Sequence, residues 1–142
     1  MTEPDLAKRV VEQMYRADGF SAWLGIEILA VAAGKAKLRM TVRREMLNGF
    51  KRCHGGIPFS LADSALAFAS NSHGRVALSV ENSIAYPAAI LEHDVLTASC
   101  EEVSLRNKIA TYHVTITKQD DSVVGIFRGT VYRTTEEFFK EK

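Results

Sequence analysis

A chain of 142 residues with a formal net charge of +1 has the length of one domain and no global reason to seek nucleic acid or a membrane surface. Its apolar fraction of 46% and charged fraction of 25% are ordinary for a globular protein with its own core. No apolar run approaches the roughly 18 residues that span a bilayer, and Met1 to Asp5 lacks the regions of a secretory signal. Two cysteines, Cys53 and Cys100, do not make a disulfide framework. The expectation is a single domain over residues 1–142, in a reducing cytoplasm, with two free thiols.

The first element is a helix over about 5–18. Leu6, Val10 and Met14 recur at four-residue spacing, with Val11 and Tyr15 beside them, and Gly19 reads as the stop. Phe20, Trp23, Leu24 and Ile26 form an apolar cluster that would anchor this helix on the core. The period then changes to two. Ile26 to Val31 is a strand candidate, Ala33-Gly34 its turn, and Lys35 to Val42 alternates charged and apolar residues, the mark of a strand with one wet face.

Residues 48–70 organise the rest. Residues 48–56 are polar, basic and glycine-bearing; residues 57–70 are small and apolar with one carboxylate, Asp63, among them. The second half predicts a helix, with Pro58 in the first turn, where its missing N–H costs nothing. Apolar residues all round its axis predict burial on most sides. A carboxylate in such a helix needs a hydrogen-bond partner or a cleft, because an unpaired buried charge is expensive. Ser60 and Ser64 are the local candidates for partner. Gly55 and Gly56 offer backbone N–H groups at the positive end of the helix dipole. That pairing suits a developing oxyanion. An isolated glycine such as Gly55 has an alternative reading as a turn needing positive φ.

Asn71-Ser72-His73-Gly74 is a turn cluster. Strand candidates follow at about 76–86, 94–104, 108–118 and 123–133, with Gln119 to Ser122 a hairpin connection and the tail from Thr134 a short helix or frayed end. The class is α+β: one antiparallel sheet cupping one apolar helix. Open sheet edges and an open second face favour an oligomer.

The order resembles the hotdog fold, in which a curved antiparallel sheet wraps a long central helix. Leu47-Asn48-Gly49, His54-Gly55-Gly56 and Leu61-Ala62-Asp63-Ser64 together look like the signature of hotdog acyl-CoA thioesterases of the phenylacetate-degradation type. Ser79-Val80-Glu81-Asn82 through Tyr86-Pro87-Ala88, and Phe127-Arg128-Gly129-Thr130, extend the similarity over about 20–134. Ser104 to Lys108 departs from it, replacing a glycine-containing basic turn.

The resemblance implies an enzyme that hydrolyses an acyl-CoA thioester, aryl-acetyl or medium-chain, with no cofactor beyond that substrate. It implies Asp63 as general base or nucleophile and Gly55 N–H as oxyanion donor. Asn48 would orient water or substrate, His54 would position the loop or bond the carbonyl, and Ser79 would face the carboxylate from the third strand. Gly56, Lys51, Arg52, Arg106 and Lys108 are candidates for coenzyme A contacts. Phe50, Phe59, Phe68 and Tyr86 are candidates for an acyl pocket, or for core. The four histidines show no i, i+4 pair, so no metal is expected. Two other functions compete: a hotdog acyl-thioester hydratase or dehydratase using Asp63 with His54, and a non-catalytic acyl-CoA-binding module.

Gly55 and Asp63 are eight residues apart, roughly 12 Å along a helix axis at 1.5 Å per residue. One carbonyl does not easily meet both in one subunit. Two antiparallel helices across a dimer axis would bring Gly55 of one chain opposite Asp63 of the other. The expected assembly is therefore a homodimer with shared sites, and by resemblance a homotetramer of two such dimers.

Overall fold

The computed structural model describes residues 1–140. Its centre is helix α3, Gly56–Asn71, with Pro58 at its third position. Leu61, Ala62, Ala65, Leu66, Phe68 and Ala69 are wholly buried, so the helix is covered on most sides as its composition requires.

The cover is a six-stranded antiparallel sheet in the order β1-β2-β4-β5-β6-β3. The strands are β1 (Glu27–Ala32), β2 (Lys35–Thr41), β3 (Arg75–Ala85), β4 (Val95–Leu105), β5 (Ile109–Thr117) and β6 (Val123–Glu137). On β2, Ala36, Leu38 and Met40 are buried while Lys35, Lys37 and Arg39 are not. On β5, Ala110, Tyr112, Val114 and Ile116 alternate inward in the same way. One sheet face therefore packs on α3 and the other meets solvent, which is the α+β hotdog arrangement.

The N-terminal region differs from expectation. Helix α1 spans Glu3–Arg16, capped by Thr2, whose Oγ1 accepts from Asp5 N. Gly19 is not its stop: Asp18 caps a second helix, α2 (Gly19–Leu24), by accepting from the Ser21 N–H. The left-handed residue that ends the chain's helical entry is Gly25, at φ 75°. Leu24 and Ile26 are buried, but Phe20 and Trp23 stack on each other at the surface.

The tail beyond 133 is neither helical nor frayed up to Glu137. It continues β6, because Arg75 pairs with Glu137 and the Arg75 guanidinium donates to the carbonyls of Thr134 and Arg133. No helix of the described residues is long and apolar enough to cross a membrane.

Strand β3 lies at one edge of the sheet and runs beside α3. Three contacts fix their alignment. Tyr86, just past β3, donates from Oη to the Gly55 carbonyl at 2.7 Å. Asn82 Nδ2 donates to Asp63 Oδ1 at 3.1 Å. Asn71 bonds both the N–H and the carbonyl of Ala77, at 2.9 and 3.2 Å. The helix start thus faces the C-terminal end of β3, and the helix end faces its beginning.

Candidate active site

Gly55 caps α3 in an ordinary right-handed conformation, φ −56° and ψ −26°. The positive-φ reading of this glycine is therefore wrong. What crowds a side chain here is Tyr86: a Cβ on Gly55 would lie 3.0 Å from its Oη and 3.1 Å from its Cζ, so the ring would have to give by a few tenths of an ångström. The donors at this helix start are disposed of one by one. His54 N bonds the Met46 carbonyl, Ile57 N bonds the His54 carbonyl, and Gly56 N donates to His54 Nδ1 at 3.0 Å. Gly55 N makes no hydrogen bond among the described residues. A half-buried, unpartnered N–H at the positive end of a sixteen-residue helix is a ready donor to an anionic oxygen.

His54 therefore acts on the loop. By accepting the Gly56 N–H it leaves Gly55 as the free donor, and it places the proton of a neutral ring on Nε2. The Gly56 N–H is thus engaged by His54.

Asn48 builds the preceding loop. Its Oδ1 accepts from Phe50 N at 2.9 Å and Arg52 N at 3.3 Å, around Lys51 at φ 60°. Asn48, Arg52, Gly55 and Tyr86 line one open cleft of about 430 Å³ with Cys53, Pro58 and the 87–90 segment. Nothing local in the sequence places Tyr86 at Gly55, 31 residues away. The Cys53 thiol at this cleft is pushed up to about 11 by burial, then by the Asp94 carboxylate, which leaves it a poor nucleophile at neutral pH.

Asp63 is half-buried, one residue from the fully buried Ala62. Its partner is not a local hydroxyl. Ser60 Oγ donates to the Gly56 carbonyl, and Ser64 Oγ bonds Ser21 Oγ. The partner is Asn82, from β3. Burial raises the Asp63 pKa above the ordinary carboxylate value, the Asn82 amide opposes that rise, and the nearby Asp18 adds to it. A carboxyl raised in this way is a better base than an exposed aspartate. Ser79 reaches Asp63 only through Asn82, to whose Oδ1 its hydroxyl donates at 2.9 Å.

The structure separates other predicted residues. Arg106 and Lys108 sit at the β4–β5 turn, which Arg75 ties to the start of β3 through Asn107. Lys51 and Arg52 sit near Gly55, beyond the other end of that 11-residue strand, roughly 33 Å away at 3.3 Å per residue. The four basic residues do not form one binding surface in a single chain. The aromatic candidates also disperse. Phe68 is core, Phe59 packs edge-on against Phe127, Phe50 is 84% exposed, and only Tyr86 borders the cleft.

Comparison with known proteins gives the family and the fold. The family model described as the thioesterase superfamily matches residues 50–124. An Archaeoglobus fulgidus protein with an inferred esterase name is 44% identical over 133 residues, covering 94% of this chain and 86% of its own. The acyl-coenzyme A thioesterase PaaI of Escherichia coli is 38% identical over 120 residues, 84% of this chain and 86% of that protein. The solved structure of the E. coli PaaI protein, from the phenylacetic acid degradation operon, superposes with a TM-score of 0.93 over 96% of this chain and 99% of its own, at 34% identity. A hypothetical thioesterase of Streptococcus pneumoniae solved with coenzyme A gives a TM-score of 0.82 at 27% identity, over 88% of this chain and 98% of its own. The chain is an enzyme of the thioesterase superfamily.

Proposed function

We propose that the protein hydrolyses acyl-coenzyme A thioesters at a site shared between two copies of the chain. The observation that carries this is the pair of prepared groups on α3: an unpartnered N–H at Gly55 and a half-buried carboxylate at Asp63. The Gly55 N–H and the helix dipole stabilise the oxyanion that forms when the thioester carbonyl is attacked. Asp63 either takes a proton from the attacking water or attacks the carbonyl itself. In both routes a C–O bond forms, the C–S bond breaks, and the products are the free acid and coenzyme A. Coenzyme A in the pneumococcal relative and the PaaI activity name support the substrate class.

The sharing follows from the alignment of α3 on β3. Gly55 is bonded by Tyr86, just past β3, and Asp63 by Asn82 on it, four residues apart in the chain, or roughly 13 Å at 3.3 Å per residue. The strand spacing agrees with the helix spacing, and both support a site that takes one group from each copy. The outer edge of β3 has no strand partner among the described residues, and it carries exposed Leu78 and Val80. Antiparallel pairing of two β3 edges about an axis near Ile84 would set Gly55 of one copy toward Asp63 of the other. It would also carry Arg106 and Lys108 of each copy toward the Lys51–Arg52 loop of its partner. The solvent face of the sheet, where Leu78, Tyr132 and Ile109 are exposed in adjacent register, suits the pairing of two dimers into a tetramer.

The acyl group is proposed to be aryl-acetyl or medium-chain, from the phenylacetate-operon relative. A panel of acyl-CoA esters ranked by kcat/KM, with thiol release as readout, tests both class and preference. Loss of enoyl absorbance without thiol release would instead indicate a hydratase. That alternative needs a histidine beside a carboxylate, whereas His54 and Asp63 are held by different partners, Gly56 and Asn82.

A further inference from the structure

Ser79 and Asn82 are three residues apart on β3, a spacing that puts side chains on opposite faces of a regular strand. The strand is not regular here. Ser79 pairs with Val131 and Glu81 with Thr130, so Val80 is an extra residue in the ladder. This bulge turns Ser79 and Asn82 to the same face, toward α3.

The two side chains then form a relay. Ser79 Oγ donates to Asn82 Oδ1 at 2.9 Å, and Asn82 Nδ2 donates to Asp63 Oδ1 at 3.1 Å. Only one orientation of the amide works. An ionised carboxylate has no proton to give, so it must meet the NH2 side, and the serine hydroxyl satisfies the carbonyl side.

Space for the relay comes from Gly129, which pairs with Asn82 across the ladder. A Cβ on Gly129 would lie 2.7 Å from Asn82 Oδ1 and 2.5 Å from a Leu66 methyl. Three features of β3 and β6 thus converge on one hydrogen bond to Asp63: the bulge, the missing side chain and the serine.

We infer that Asn82 is a positioning residue for the hydrolysis, holding Asp63 ionised and aimed, and that Ser79 acts through Asn82 rather than on the substrate. This rests on the reading of Asp63 as base or nucleophile. Asp18, the cap of α2, is the charged group that acts on Asp63 from the neighbouring helix, and it disfavours the carboxylate, as burial does more strongly. Helix α3 brings no second charge, and Glu81 on β3 is exposed on the opposite face. Asn82 is the group that opposes both effects.

The test is the pH dependence of kcat/KM, with the acyl-CoA ester that the wild type hydrolyses best, for wild type, Asp63→Asn, Asn82→Leu and Ser79→Ala. The acid limb reports the carboxyl of the free enzyme. Loss of a hydrogen bond to a charged group should move it upward by about one to two pH units in Asn82→Leu. Ser79→Ala, which frees the amide to rotate, should move it a smaller distance in the same direction. Asp63→Asn should be nearly inactive throughout. If Asn82→Leu does not fold, Ser79→Ala decides alone. An inactive Asp63→Asn with unmoved limbs in the other variants overturns the inference and leaves the Asp63 reading standing. Near wild-type hydrolysis by Asp63→Asn overturns both.

Discussion

Tyr86 holds the carbonyl of Gly55 at 2.7 Å and would crowd a Cβ on that residue, while the Gly55 N–H has no partner among the described residues. Backbone conformation is not the constraint, since φ −56° and ψ −26° suit any L residue.

Gly55→Ala should therefore fold normally and lose activity through the Tyr86 ring alone. A loss of roughly tenfold in kcat/KM is expected, because the shift needed to accommodate the methyl group misplaces the donor N–H. Removing the obstacle should help: the double variant Gly55→Ala, Tyr86→Ala should hydrolyse faster than Gly55→Ala. Steady-state assays decide it. A double variant no better than the single one would place the damage elsewhere.

Asp63→Asn should remove most hydrolysis, on the order of 10²–10⁴-fold, while keeping acyl-CoA binding. Its stability moves the other way. Burial raises the folded-state pKa of Asp63, so the ionised carboxylate works against the fold above that pKa, and this cost is absent in acid, where both states are protonated. The neutral amide should thus leave the Tm unchanged or higher at pH 7, with any gain vanishing in acid below the ordinary carboxylate pKa. Thermal melts across pH check this. A Tm at pH 7 well below wild type would contradict it.

Much of this architecture was legible because its signals are local. The alternation of Lys35 to Val42 and of Tyr112 to Thr117 marks two strands, and the small apolar run after Pro58 marks the buried helix. Gly19 misled because the chain ends one helix at Arg16 and caps another with Asp18, leaving Gly25 as the left-handed residue. The extension of β6 to Glu137 depends on pairing with Arg75, which no local pattern announces. Asp63 and Gly55 were visible as a carboxylate and a helix start; Asn82 and Tyr86 were not. A period of two puts Ser79 and Asn82 on opposite faces until the bulge at Val80 is known. Tyr86 is 31 residues from the glycine it holds.

The edge of β3 gives a prediction about assembly. Val80 is exposed and sits at the bulge on an unpaired strand edge. A lysine there should be tolerated by the isolated chain but oppose edge pairing. Val80→Lys should lower the mass seen by light scattering and reduce activity in parallel, both recovering at higher protein concentration. Full activity in a monomeric Val80→Lys protein would exclude a site that needs two copies.

The shared site itself is tested by mixing two inactive variants. Asp63→Asn removes the carboxylate. Gly55→Pro removes the donor N–H, at a φ that proline accepts. In a mixed dimer with crossed sites, one site carries both lesions and the other carries none. With random exchange about half the dimers are mixed, so co-refolding equal amounts should restore roughly a quarter of wild-type hydrolysis. No recovery, with mixed dimers confirmed by native mass spectrometry and Gly55→Pro shown to be folded, would mean that each subunit holds its own complete site.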